Sequence, residues 1–174
     1  MQKTPTGEDL HVFVNHWPSR RGGLAASSPK RAHVANTLRD FLQDQKLDPY
    51  KNAMLLMGDF NDEPSNQSIV EHLDAGRPGT DHTFFSLMHD ISDRQEGTYN
   101  YRGTWNALDQ FIVSGHLING KMSDLEVTNS EVFKREFMIY RDKKYGEKPN
   151  RTYGGPNYYG GFSDHYPIRA RLHF

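Results

Sequence analysis

Apolar and polar positions alternate from Leu10 to Trp17, with Val12, Val14 and His16 on one face and Phe13, Asn15 and Trp17 on the other, the two-residue period of a strand. Ser28 followed by Pro29 then marks a helix start, and Val34, Ala35, Leu38, Phe41 and Leu42 recur at helical spacing, predicting an amphipathic helix over 29–45. Ala53 to Met57 is continuously apolar, the signature of a strand buried on both faces. Pro64-Ser65 opens a short helix carrying Ile69, Val70 and Leu73, which stops near Gly76. Strand, helix, strand, helix is the order of an α/β layer.

Beyond Gly97 the pattern turns to strands, over 98–101, 108–113 and 131–139. A last strand from Ile168 to Phe174 sets Ile168, Ala170, Leu172 and Phe174 against Arg169, Arg171 and His173. Between them, 140–161 is rich in Gly, Tyr, Asn, Pro and Lys and is expected to be a long structureless loop, suited to a substrate-facing lid or to a loose surface segment. Thr6-Gly7-Glu8-Asp9 is a turn leading straight into the first strand. Either a short leader docks before it, or an upstream half of the domain is expected.

The chain has 174 residues, enough for one domain with its own core. A formal net charge of −1 argues against a uniformly basic nucleic-acid coat, though not against a local basic groove. With no cysteine, disulfides and thiolate metal sites are excluded and the redox compartment stays open. No apolar run reaches the roughly 18 residues of a membrane span, and the first residues hold no apolar core of a signal peptide.

Chemistry concentrates in a few places. Gly58-Asp59-Phe60-Asn61 follows the buried strand, and an extended backbone aims Asp59 and Asn61 the same way, a carboxylate and an amide able to orient water against phosphorus. The same residues also suit an Asx turn leaving a strand. Ser163-Asp164-His165-Tyr166-Pro167 sits behind Gly160-Gly161, at the mouth of the last strand. His165 can serve a phosphoryl oxygen at neutral pH, and Asp109, a charge at the head of an apolar strand, is the obvious carboxylate to hold its ring. His16 precedes Arg20 and Arg21, which can add charge against a phosphate or remain solvated. Trp105, beside Arg102 and Tyr101, suits stacking on a substrate or packing in the core. His72, His82, His89 and His116 have no ligand spacing, and His89 to Asp93 reads as a solvated turn.

Taken in order, Asn15-His16-Trp17, Gly58-Asp59-Phe60-Asn61, Leu108-Asp109-Gln110 and Ser163-Asp164-His165-Tyr166-Pro167 resemble the motifs of the endonuclease/exonuclease/phosphatase superfamily, and they span nearly the whole chain. The resemblance implies an α+β, DNase-like four-layer sandwich, two packed β-sheets flanked by helices, present here as its C-terminal portion over 1–174. It implies a metal-dependent phosphoesterase, with endonuclease among the candidate activities, using Mg2+ or Mn2+ on a nucleic acid, lipid or sugar phosphate. By the same resemblance, Asp59 would orient and activate water, Asn61 and His16 would contact the phosphate, and His165 paired with Asp109 would stabilise the pentacovalent phosphorus or assist proton transfer. Asp164, with Asp59 as a second candidate, would hold the metal. Arg20, Arg21, Arg102, Trp105 and Arg151 are the candidates for substrate contact.

The sequence departs from the family pattern before His16. Members carry an Asn and then a metal-binding Glu there, and Glu8, in a turn, is in the wrong context. A catalytically impaired chain, acting only with another chain that supplies the upstream half or not at all, is the alternative expectation. Soluble placement is expected, in the cytoplasm, or secreted or periplasmic if an upstream signal peptide has been lost.

Overall fold

The computed structural model describes residues 2–3, 7, 9–118 and 126–173. In chain order the strands are β1 (Gln2–Lys3), β2 (Asp9–His16), β3 (Ala53–Asp59), β4 (Ala75–Gly76), β5 (Phe84–Ser86), β6 (Tyr99–Tyr101), β7 (Thr104–Asn106), β8 (Asp109–Ser114), β9 (Glu126–Val132), β10 (Ile139–Asp142), β11 (Gly146–Pro149), β12 (Tyr153–Gly154), β13 (Asn157–Tyr158) and β14 (Ile168–His173). The helices are α1 (Leu24–Asp44), α2 (His89–Asp93) and α3 (Gly115–Ile118), with a wide turn at Ser68–His72 and a tight one at Glu136–Met138. Among the described residues no helix is long and apolar enough to cross a membrane.

Six strands form the main sheet, in the order β1-β2-β3-β8-β5-β4. β3 lies inside it, parallel to β2 and antiparallel to β8, which is why its residues read as apolar without alternation. One face buries Met54, Leu56, Ile112 and Phe84 against Ala35 and Leu42 of α1. The other buries Leu55, Val113 and Leu10 against Ile168, Ala170 and Leu172 of β14, which pairs antiparallel with β9. The alternation expected of the last strand therefore holds from Ile168 to Leu172, and Phe174 lies outside the described residues. Val12 and Val14, on the β2 face that continues from Leu10, stay 44% and 76% exposed.

Several expected elements differ. Helix α1 starts at Leu24, so Pro29 stands inside it. Gly23 rather than Ser28 turns the chain into the helix, and Ser27 Oγ donates to the Gly23 carbonyl at 2.7 Å. The helix expected from Pro64 contracts to Ser68–His72, and Gly76 joins a strand. The strand expected over 131–139 instead spans Glu126–Val132, because pairing with β14 sets its register and the Phe133 N–H closes the ladder on the Pro167 carbonyl. His89 to Asp93 is a helical turn burying Ile91, not a solvated one, and His116 is buried in α3. The segment 140–161 is not structureless: it forms the hairpins β10–β11 and β12–β13. The Asp142 carboxylate builds the first turn, accepting from the Lys144 and Tyr145 N–H groups and from Lys148 Nζ.

Candidate active site

Backbone register places three titratable residues in one row. His16 on β2 pairs with Asp59 on β3, and Asp59 pairs with Asp109 on β8. Neighbouring strands lie about 4.8 Å apart, so residues in register bring their side chains into one small volume. His16 Nε2 lies 3.7 Å from Asp59 Oδ2. The approach of β2 to β3 demands a glycine: Gly58 has φ +124°, and a Cβ there would lie 2.1 Å from the Asn15 carbonyl oxygen.

The strand ends at Asp59, and the chain turns back on itself. Asn61 adopts a left-handed φ of 52°, and its N–H donates to Asp59 Oδ1 at 2.8 Å, an Asx turn rather than an extended pair. The Asn61 amide still meets Asp59, donating to Oδ2 at 3.0 Å and to the Trp17 carbonyl at 3.0 Å. Both its hydrogens are thus engaged within the protein. Phe60 points the other way, into the core against Trp17.

His165 reaches the row from the far end of the chain. Its Nδ1–H donates to Asp109 Oδ2 at 2.7 Å. Thr98 aligns the two: its Oγ1 accepts the Asp109 N–H at 3.2 Å, and its carbonyl accepts the Tyr166 N–H at 2.8 Å. Burial disfavours the imidazolium, but the Asp109 hydrogen bond and the charges of Asp109, Asp59 and Asp164 outweigh it and raise the His165 pKa. The Asp59 pKa is raised as well, first by burial and then by Asp109 beside it. The Tyr99 ring packs 4.9 Å from the His165 ring.

These groups open into a cleft of about 920 Å³, lined also by Arg20, Arg21, Tyr101, Asn106 and Asp164. Arg20 is clamped: Nε donates to the Asn61 carbonyl, Nη1 to Asn106 Oδ1 and Nη2 to Asn66 Oδ1, at 2.8, 2.9 and 3.0 Å. It holds the walls of the cleft together. Arg21 is exposed at the rim. Arg102, Trp105 and Arg151 do not line the cleft: Arg102 lies over the Tyr101 ring, and Trp105 stacks on Tyr166 at 5.7 Å. Thr98, Tyr99 and Asn106 carry no functional signal in the sequence, since nothing about an isolated Thr or Asn shows which backbone group it will meet.

Asp59, Asp109 and His165 each offer a ligand atom, all within 4.8 Å of one another. The hydrogen bond from His165 Nδ1 to Asp109 Oδ2 leaves Nε2 of His165 and the other Asp109 oxygen as the atoms such an ion could use. Asp164 lines the same cleft but is not one of the trio, and a hard cation prefers the carboxylate oxygens to the imidazole.

The sequence matches the model of the Endonuclease/Exonuclease/phosphatase family over residues 2–173. No curated protein matches it. Among solved structures, it is similar to the mannosyl-6-phosphatase of Bacteroides thetaiotaomicron VPI-5482, with 17% identity, a TM-score of 0.56, and coverage of 97% of this chain and 53% of that one. A Staphylococcus aureus beta toxin variant with bound magnesium ions shares 19% identity at a TM-score of 0.54, covering 96% of this chain and 54% of that one. A humanized D. rerio TDP2 shares 16% at 0.53, covering 98% and 58%. The shared fold is the mixed α+β, DNase-like one, and the chain spans a little over half the length of these relatives.

Proposed function

Because the chain belongs to the endonuclease/exonuclease/phosphatase family, we propose that it hydrolyses a phosphoester by in-line attack of water in the cleft bounded by His16, Asp59 and His165. The observation carrying this reading is the row His16–Asp59–Asp109 across β2, β3 and β8, closed by the hydrogen bond from His165 to Asp109. Asp59 orients the attacking water and accepts its proton. Asn61, whose amide hydrogens are both engaged, fixes Asp59 instead of contacting the phosphate. His165, held protonated at Nδ1 by Asp109, turns Nε2 towards a phosphoryl oxygen, and exposed His16 supplies a donor from the opposite strand.

Mg2+, or Mn2+ in its place, would be held by Asp164 and Asp59 and would supply Lewis-acid neutralisation of charge on the phosphoryl oxygens. Two carboxylates leave such an ion mostly hydrated, the usual state of bound Mg2+.

The test is hydrolysis of a chromogenic phosphodiester with Mg2+ or Mn2+, beside the Asp59→Asn and His165→Ala variants, with circular dichroism confirming that each is folded. Each variant is expected to lose at least about 100-fold in rate, the scale of a positioned acid or base, and EDTA to abolish the reaction. A wild-type rate in both variants would sink the proposal. A second reading is favoured by Val12 and Val14, apolar side chains left exposed on β2 beside His16. In it, another polypeptide segment covers that face and the chain hydrolyses substrate only when so covered.

A further inference from the structure

The two hairpins leave the cleft as a basic, aromatic extension that the proposed hydrolysis does not use. From Phe133 to Phe162 the chain carries seven Lys and Arg residues against three carboxylates, a local net charge of +4 that the whole-chain value of −1 conceals. The three acids are taken: Glu147 by Lys134, Glu136 by Arg141, and Asp142 by Lys148. Arg135, Lys143, Lys144 and Arg151 make no ion pair among the described residues. The large exposed side chains here are aromatic, with Tyr153, Tyr158, Tyr159 and Phe162 all at least 60% exposed.

This surface adjoins the wall of the cleft. Asn100 Nδ2 donates to the Glu147 carbonyl at 3.3 Å, tying β11 to β6, whose Tyr101 lines the cleft. Phe162 stands three residues before His165, its N–H bonded to the Asn150 carbonyl at the end of β11.

We infer that the hairpins are a binding platform for a single-stranded nucleic acid, whose backbone runs from the cleft along the unpaired cations while its bases stack on the exposed rings. The inference rests on the phosphoesterase reading of the cleft and names its substrate class. Exposed rings favour unpaired bases, because a duplex hides its base faces while a single strand offers them. A lipid surface fits less well: the hairpin turns carry Lys143-Lys144 and Gly155-Pro156-Asn157, and no exposed Leu, Ile, Val or Trp accompanies the tyrosines.

The test is fluorescence anisotropy of a labelled twelve-nucleotide oligothymidylate in EDTA, which prevents cleavage, against the same length of duplex and against phosphatidylserine vesicles. The single strand is expected to bind about tenfold more tightly than the duplex, with affinity falling as salt rises. Replacing Lys143 and Lys144 together with Ala should lower the log–log salt slope by about 1.4, roughly 0.7 for each phosphate no longer neutralised. Tyr158→Ala and Phe162→Ala should each weaken binding about tenfold. No binding, equal affinity for duplex, affinity untouched by the aromatic variants, or binding to vesicles alone would each overturn the inference. Oligonucleotide binding by a wild-type protein that leaves the small phosphodiester intact would instead refute the hydrolytic reading and keep the platform.

Discussion

Arg31 and Asp62 form an ion pair sealed from solvent: Nε lies 2.7 Å from Oδ2, and the side chains are 0% and 1% exposed. The pair joins helix α1 to the loop that follows Asp59. Ser68 Oγ donates to the same carboxylate oxygen, and Gln110 Nε2 to the Asp62 carbonyl. Without Arg31 the buried carboxylate's one remaining ion-pair contact among the described residues is the longer one to Arg20 Nη2, 3.5 Å from Oδ1. Arg31→Met is therefore expected to cost about 3–5 kcal/mol, measured by urea unfolding. Arg31→Met combined with Asp62→Leu should recover part of that loss. A single variant as stable as wild type would refute this account of the loop.

Gly58→Ala tests the register of the site. The added methyl meets the Asn15 carbonyl at 2.1 Å in a backbone with φ +124°. The strands must part to accept it, at a cost of about 3 kcal/mol or more. Urea unfolding reads the stability, and the rate of phosphodiester hydrolysis should fall with it, because His16 and Asp59 separate. A fully stable Gly58→Ala protein would show that β2 and β3 do not meet in this register.

Thr98 is a positioning residue. Thr98→Val keeps the shape but removes the acceptor of the Asp109 N–H, and an unpaired buried donor costs about 1–3 kcal/mol. The expected kinetic signature is a lower kcat with KM little changed, rescued by Thr98→Ser, which restores the oxygen. A change in KM alone would place Thr98 in substrate binding instead.

His89 gives stability a pH dependence. Burial lowers its pKa, and Arg77 lowers it further against the opposing influence of the Gly76 backbone, Asp93 and Asp90. A histidine with a folded pKa below its ordinary 6.5 binds fewer protons when folded than when unfolded. Its contribution is thus complete above pH 6.5 and is lost as pH falls through the folded value. The urea midpoint should drop between pH 7.5 and 5.5, and drop less in His89→Gln. Identical pH profiles for the two proteins would refute the assignment.

The legible and illegible parts of this chain divide along physical lines. Ala53 to Met57 announced an interior strand because burial on both faces needs an unbroken apolar run. Asp109 announced a partner because a charge at the head of a buried strand must be compensated, and His165 is that partner. Arg31 was hidden: among Lys30, His33 and Arg39 it looks like one more solvated cation, and only tertiary packing turns it inward. The hairpins were hidden for the opposite reason. Their Gly, Pro and Asn residues signalled turns, and the short strands between those turns carry too few apolar side chains to show a period.

The row of acids and histidines stands on strands whose spacing is set by main-chain pairing, whereas the basic, aromatic surface beside the cleft stands on hairpins tied to it through contacts such as the bond from Asn100 to the Glu147 carbonyl. Under the proposed function, reaction and recognition would therefore rest on separable parts of the chain. A change confined to the hairpins would leave the pairing that sets His16, Asp59 and Asp109 side by side as it is.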